Sequence, residues 1–390
     1  MIPKRAEGEP AVKVKIAQYT LRFVTPAFLG DADQDGRWRT PPIKALLRQW
    51  WRVAYAQHHN FRVDVARMRR LEGCLFGNAW LESPSPSSPS SRSPAPAKSL
   101  LRLRLNRWDE GGDVKAEATV SGGNRDGWRT NRRDNDIYYL GYGPLTREKA
   151  VAIGVGNKDT ATLSLAWPEE IPPSYKGPLE AGGGGELERH LRTALWLVDR
   201  YGAMGNRCRN GWGSVELRPA DSHVFQEGEP PLRTWTECLE LDWPHAIGRD
   251  ENGALIWCTE PYQDWQSLMK GLGIVRKQLR AKFEFRGEHG ASRGGRHWLA
   301  YPVTRHPVRS WDDLHLRLPN QLRFKARRKS DEKLLGVIFH MPHLPPKDFD
   351  LRKEEKKEIQ RIWRRVHEFL DASDFSPSSA VRLHRVESEP

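Results

Sequence analysis

Cysteine is scarce. Only four occur in 390 residues, Cys74, Cys208, Cys238 and Cys258, far apart and without a Cys-x-x-Cys pair or a Cys/His cluster at metal spacing. This excludes zinc-ribbon and finger designs and any disulfide framework, predicts no metal and no cofactor, and fits a reducing cytoplasm. Long apolar runs are lacking too. No stretch approaches the roughly 18 residues that a membrane span needs, and the start, MIPKRAEGEPAVKVKIAQY, has no apolar secretion segment. Negative charge is in deficit, with 50 Asp and Glu against 63 Lys and Arg and a formal net charge of +13. Such a balance favours a polyanionic partner. With no membrane signal, the expected polyanion is RNA or DNA. The order of elements gives no helix-turn-helix, so duplex DNA readout is disfavoured.

What is present agrees. Arginine outnumbers lysine, and guanidinium grips phosphate as a planar fork. Sixteen tryptophans accompany it; some could stack on bases, but most are expected to be core.

The length suggests two domains, placed at 11–230 and 231–390. In the first, VKVKIAQYTLRFVTP alternates as a strand, and TPPIKALLRQWWRVAYAQ reads as a helix with Thr40 as N-cap. SLLRLRLNRW and TATLSLAW read as strands, ELERHLRTALWLVDRYG as a helix and GSVELRP as a closing strand. The order strand, helix, strand, strand, helix, strand is that of a ferredoxin-like split βαβ. A Pro/Ser tract at 83–98 is expected to be a disordered insertion, 121–136 a basic loop, and Gly182 to Gly185 a flexible approach to the second helix.

The second half repeats the pattern weakly. ECLELDW is predicted as a strand, HAIGRDENGALIW as a hairpin, and YQDWQSLMKGLGIVRKQLRAKF as a helix despite Gly271 and Gly273, each costing about 1 kcal/mol relative to alanine. NQLRFKARRKSDEKLLGVIFHMPH follows as two strands around a charged turn, then a helix striped by Ile359, Ile362, Trp363, Val366 and Phe369. The fold class expected is α+β, two tandem ferredoxin-like (RRM-like, βαββαβ) domains, the second degenerate.

Two places could carry chemistry. RYGAMGNRCRNGWGSVEL holds Gly202, Gly205, Gly211 and Gly213 between a helix and a strand. A nucleotide P-loop has the reverse order, and Asn210 and Gly211 stand where it needs Gly-Lys. A phosphodiester backbone suits the loop better: Arg207 and Arg209 for phosphates, Asn206 and Asn210 for phosphate or 2′-hydroxyl, Trp212 to stack or pack. The other reading is a glycine-rich turn with solvated arginines. On the first helix Lys44, Arg48, Trp51 and Tyr55 share a face with Arg52 beside them, which suits a single strand; alternatively Trp51 and Tyr55 pack on the second half. Asp31, Asp33 and Asp35 superficially resemble a calcium loop, but Pro42 stands where that motif needs a bidentate glutamate.

These residues resemble a family. TPAFLGDADQDGRWRTPPIKALLRQWWR is similar to the amino-terminal signature of RAMP superfamily subunits of CRISPR effectors, in the form found in subunit one of the type III-B (Cmr) complex. EGCLFGNAW, YYLGYG and the glycine-rich loop resemble further segments of that family. The resemblance implies two RAMP domains and a non-catalytic, RNA-binding subunit that caps a multisubunit ribonucleoprotein. Such a subunit contacts the 3′ part of the guide RNA or the guide–target duplex and packs against the repeated backbone subunit. Guide RNA, target RNA and other Cmr subunits are thus the implied partners. The positions carried over are Lys44, Arg48, Trp51 and Arg52, with Gly205, Arg207, Arg209, Gly211 and Gly213. Asn206, Cys208, Asn210 and Trp212 depart from the usual family loop, and the second half matches little beyond WLAYPV. The rival is a metal-independent guide-processing RAMP endoribonuclease. It needs a base, an acid and a cation, for which His58, His59, His190, Lys44 and Arg207 are the candidates.

Overall fold

The computed structural model describes residues 13–30, 36–78, 98–109, 136–144, 160–171, 175, 183–220, 228–283, 293–303, 306–372 and 381–386. The insertion at 83–98 and the loop at 121–136, except their last residues, and Asp31, Asp33 and Asp35 lie outside the described residues.

In the first half, β1 (Val14–Phe23) turns Tyr19, Leu21 and Phe23 inward, and β3 (Thr160–Pro168) alternates throughout. Their antiparallel register sets Tyr19 opposite Leu163 and Leu21 opposite Ala161, so both apolar rows share a face. With β2 (Arg102–Leu105) and β4 (Val215–Pro219) they form an antiparallel sheet in the order β2-β3-β1-β4. Between β1 and β2 run α1 (Thr40–His58) and α2 (Val65–Phe76). A short α3 (Asp136–Gly141) precedes β3, and α4 (Gly183–Tyr201) joins β3 to β4. Arg39, not Thr40, occupies the cap position of α1, because the two prolines already supply helical φ in its first turn. Gly183 to Gly185 belong to α4 rather than to a loop.

The second half opens with a small sheet of β5 (Leu232–Thr234), β6 (Ile247–Asp250) and β7 (Gly253–Ala254). Its main sheet contains β8 (Ile256–Thr259), β9 (Leu322–Arg328), β10 (Leu334–His340) and β11 (Leu383–Arg385), in the antiparallel order β11-β8-β10-β9. α5 (Trp265–Ala281) links β8 to β9, and α6 (Lys353–Asp371) links β10 to β11. The chain is therefore α+β, with antiparallel main sheets. One expected strand is absent: Glu237–Glu240 is a turn of 3-10 helix, since its buried residues Cys238 and Leu239 are adjacent and do not alternate.

The halves share their cores. Ile247, Ile256, Val337 and Phe339 pack with the first-half residues Leu21, Trp50 and Leu195, while Phe28 and Trp212 join a cluster with Trp257, Leu272 and Trp363. Buried Lys325 of β9 donates to Gly202 O at 2.5 Å, Val198 O at 3.4 Å and Val215 O, satisfying two carbonyls at the end of α4 and one at the start of β4. Trp38, Trp50, Trp51, Trp196, Trp212, Trp257, Trp298, Trp311 and Trp363 are all less than 2% exposed, so these nine serve the interior.

Candidate nucleic-acid interface

The glycine-rich loop is fastened before it presents anything. Thr25, fully buried, donates from Oγ1 to Gly211 O at 2.6 Å and accepts from Ser214 N at 3.0 Å. Ser214 Oγ donates to Gly211 O at 2.8 Å and accepts from Ala326 N of β9 at 2.9 Å. The glycines serve this packing. Gly213 has φ +64° and a side chain there would strike Met204 O; Gly205, at φ +94°, would place a Cβ 2.7 Å from Phe28 O. Gly211, at φ +90°, lies against the Met269 side chain, where a Cβ would be 3.3 Å from Sδ. These glycines admit protein atoms, not a ligand, which corrects the expectation for Gly211 and Gly213, both buried.

Trp212 is likewise no platform for a base. It is fully buried, 4.9 Å from the Phe28 ring and 5.9 Å from Trp265. Asn210 is 8% exposed and spends its amide on Leu140 O at 2.8 Å, tying the loop to α3. Asn206, Arg207 and Arg209 are exposed. Arg207 adopts φ +59° and lays its guanidinium beside Gly143, where a Cβ would lie 3.2 Å from Nη2.

The exposed part of the loop forms one wall of a groove between the halves, with a cavity volume of about 1130 Å³. Tyr138, Tyr139 and Tyr142 of the YYLGYG stretch form another wall. The second half supplies Arg276, Lys277 and Arg280 from α5, with Arg296 and Arg317 from later turns. None of the described residues lining the groove is a carboxylate. Just outside, Asp136 pairs with Lys277 at 3.5 Å. Arg280 lies over the Tyr139 ring at 5.8 Å, and Arg276, 7% exposed, over Phe324 at 5.5 Å. Burial first, and then the neighbouring Arg280, pull the Arg276 pKa down to about 9; the same two causes lower Arg207 and Arg296. Guanidinium groups thus crowd one another without a carboxylate at the lining, a field that an anion relieves.

The cations of α1 are placed elsewhere. Lys44, Arg48, Trp51 and Arg52 do not line the groove. Arg48 Nε meets Glu72 Oε1 at 2.7 Å, and Arg52 meets both Glu72 oxygens at 2.7 and 2.8 Å. Burial would raise the Glu72 carboxyl, but hydrogen bonds and charge from Arg52 and Arg48 outweigh it and hold the pKa low. The two arginines clamp α1 to α2. Trp51, 1% exposed, packs on Tyr55, Phe76 and His190 and is corrected from stacking platform to core. Burial and Arg48 lower Lys44. On α1, Gln49 instead faces Arg323, and with its amide assigned so that the oxygen accepts, Arg323 Nη2 lies 3.2 Å away.

His58, His59 and His190 come together, with ring centroids 4.8 and 5.9 Å from His190, but away from the groove lining. His58 Nε2 lies 3.1 Å from Thr193 Oγ1. Burial, followed by neighbouring cationic groups, pushes the pKa of His58 to about 4 and of His190 to about 3.

The residues missed by sequence reasoning are those of the far wall: Arg276, Lys277, Arg280, Arg296 and Arg317. YYLGYG was legible as a motif, yet its tyrosines had no assigned role. No helix among the described residues is long and apolar enough to cross a membrane.

Comparison with curated proteins finds no match. Among solved structures, the apo form of Cmr1 from Pyrococcus furiosus is similar over 87% of this chain and 91% of its own, at 13% identity and a TM-score of 0.44. A chain of the type III-B Cmr-beta complex bound to cognate target RNA is similar over 90% and 100%, at 12% identity and a TM-score of 0.43. Residues 20–216, half of the chain and the span from β1 through the glycine-rich loop into β4, match the RAMP superfamily. The protein belongs to the RAMP superfamily.

Proposed function

We propose that the protein is a non-catalytic RNA-binding subunit of a type III-B CRISPR effector ribonucleoprotein in the cytoplasm. Its groove holds the sugar-phosphate backbone of the guide RNA or of the guide–target duplex, near the guide 3′ part, and the subunit caps the complex against the repeated backbone RAMP subunit. Each half is a ferredoxin-like RAMP domain, the first 11–230 and the second 231–390. The element order β-α-β-β-α-β and the strand order 4-1-3-2, counted within each main sheet, support this for both halves.

One observation carries the binding role: seven cations from both halves and four tyrosines, three of them from the YYLGYG stretch, line one groove without a carboxylate among the described residues. Forked cations for phosphates, with aromatic rings beside them, are what a single strand or an exposed strand end requires. Nuclease chemistry draws no comparable support. His58 and His190 have pKa values of about 4 and 3 and would be weak bases at neutral pH, and the three histidines stand apart from the groove.

The test is the salt dependence of RNA binding by the full chain. Arg209→Ala with Arg280→Ala, one from each wall, should flatten the slope by about 1.4 to 1.8 if both meet phosphates. Arg52→Ala, in the Glu72 clamp, should leave it unchanged. The reverse pattern would move the interface to α1 and discard the groove. Labelled RNA should stay intact in the same incubations; defined cut ends that vanish on His59→Ala would favour the nuclease.

A further inference from the structure

The histidine cluster has a geometry that RNA binding does not explain. His59 follows the last turn of α1, and Glu186 and His190 sit one helical turn apart on α4. Glu186 Oε1 is 3.9 Å from His59 Nε2 and 3.8 Å from His190 Nε2, and one ligand atom from each residue lies within 4.8 Å of the others.

The tautomers favour coordination. His59 Nδ1 lies 2.8 Å from Tyr55 O, a carbonyl that only accepts, so Nδ1 carries the proton and Nε2 presents a lone pair. A ring N–H held by a backbone carbonyl is the usual support of a metal-ligating histidine. The His59 ring is further fixed by stacking on Tyr55 at 4.1 Å. His190, with its side chain 4% exposed, has no hydrogen-bond partner for Nε2, an orphaned buried atom aimed at Glu186.

We propose that His59, Glu186 and His190 bind a divalent transition-metal ion of borderline softness, of which zinc is the representative, and that the ion fastens the end of α1 to the start of α4. Two imidazoles and one carboxylate select such an ion over calcium or magnesium, which take oxygen ligands. Tetrahedral coordination at about 2.0–2.1 Å needs ligand atoms about 3.3–3.4 Å apart, so each Glu186 distance closes by about half an ångström. The side chains of His59 and Glu186 are 24% and 25% exposed, leaving an entry path and a fourth position for water. Arg189 is the opposing charge nearby; it acts on His58 and His190. The buried pair His340 and His367 differs, because its nitrogens already meet each other at 2.9 Å. His59, just past α1, and Glu186, on α4, are far apart in the chain, so no spacing motif announces the group.

The test uses the full chain stripped with chelator and titrated with Zn²⁺ against a chromophoric competitor, in parallel with Co²⁺ followed in the visible range. The wild type should take up one ion, show the absorption of low-coordinate Co²⁺ and melt at a higher temperature with Zn²⁺. His59→Ala and Glu186→Gln, both at partly exposed positions, should each weaken binding at least about tenfold and lose the visible band. His384→Ala, at an exposed histidine elsewhere, should change neither. Equal uptake by the wild type and both variants, or no saturable uptake by any, would overturn the site. These readouts involve no RNA and stand or fall separately from the groove.

Discussion

Arg207 and Arg52 carry the same charge on neighbouring parts of one motif set, and their surroundings give them opposite tasks. Arg52 faces the buried carboxylate of Glu72 and closes a helix clamp. Arg207 faces other guanidinium groups and Tyr142, at the rim of an open groove. The same division separates the aromatics. Trp51 and Trp212, which looked like platforms in the sequence, are sealed in the core, whereas Tyr142 is 51% exposed beside Arg207. Tyr142→Ala should therefore weaken RNA binding by about 1–3 kcal/mol if a base stacks there, read as a rise in Kd at fixed salt with the salt slope unchanged. An unaltered Kd would leave the groove as a backbone site only.

At the scale of elements, the groove depends on how closely α3 lies against α5. Gly273 is the reason for that proximity, because a side chain there would run into Asp136 O, at the start of α3. Helix propensity alone favours Gly273→Ala by about 1 kcal/mol. The clash is with backbone rather than with a flexible side-chain tip, so overpacking of about 1–3 kcal/mol should win and destabilise the protein. Displacing α3 moves the tyrosine wall, and RNA affinity should fall with stability in the same variant; denaturant melts and binding measured together check this. A more stable variant would show that α3 can retreat at little cost. The sequence marked Gly273 only as an unfavourable residue within a helix. Its purpose lies in a helix that is distant in the chain.

At the scale of the molecule, the two main sheets share one strand order, yet the interior does not divide at residue 230. Phe339 packs with Trp50 and Tyr201, and Lys325 closes α4 from the other half. Unfolding should therefore be a single transition that carries the groove with it. Part of its pH dependence follows from the buried histidines of the second half. Burial lowers the pKa of both His245 and His343 to about 4, and each has Nδ1 at a backbone carbonyl, Trp243 O and Leu344 O. Below pH 6.5 the unfolded chain takes up protons that the folded chain refuses until about pH 4, so stability falls as pH falls through that window. Between pH 7 and pH 5 the loss should be roughly 2 kcal/mol per histidine, measured by denaturant unfolding at each pH. His343→Gln should remove its share of the slope; an equal slope in that variant would assign the loss to other groups.

The sequence by itself determined the four long helices α1, α4, α5 and α6 and the strands of the first half, because periodicity records one buried face; α2, α3 and β11 it did not announce. The alternation of Ala161, Leu163, Leu165 and Trp167 and the stripe from Ile359 to Val366 each needed only neighbours in the chain. It also determined that a basic, glycine-rich loop would stand between α4 and β4. It misread the 3-10 turn at Glu237–Glu240, because Leu239, Leu241 and Trp243 alternate in the sequence as a strand's apolar residues do. Only the tertiary structure decided which cations line the groove. Glu72 claims Arg48 and Arg52, while Arg276, Arg280, Arg296 and Arg317 converge on Arg207 from helices and turns far away in the chain. The physical reason is that a charge acts through space: its partner or its lack of one is fixed by packing, and packing leaves no periodic trace in the residues it brings together.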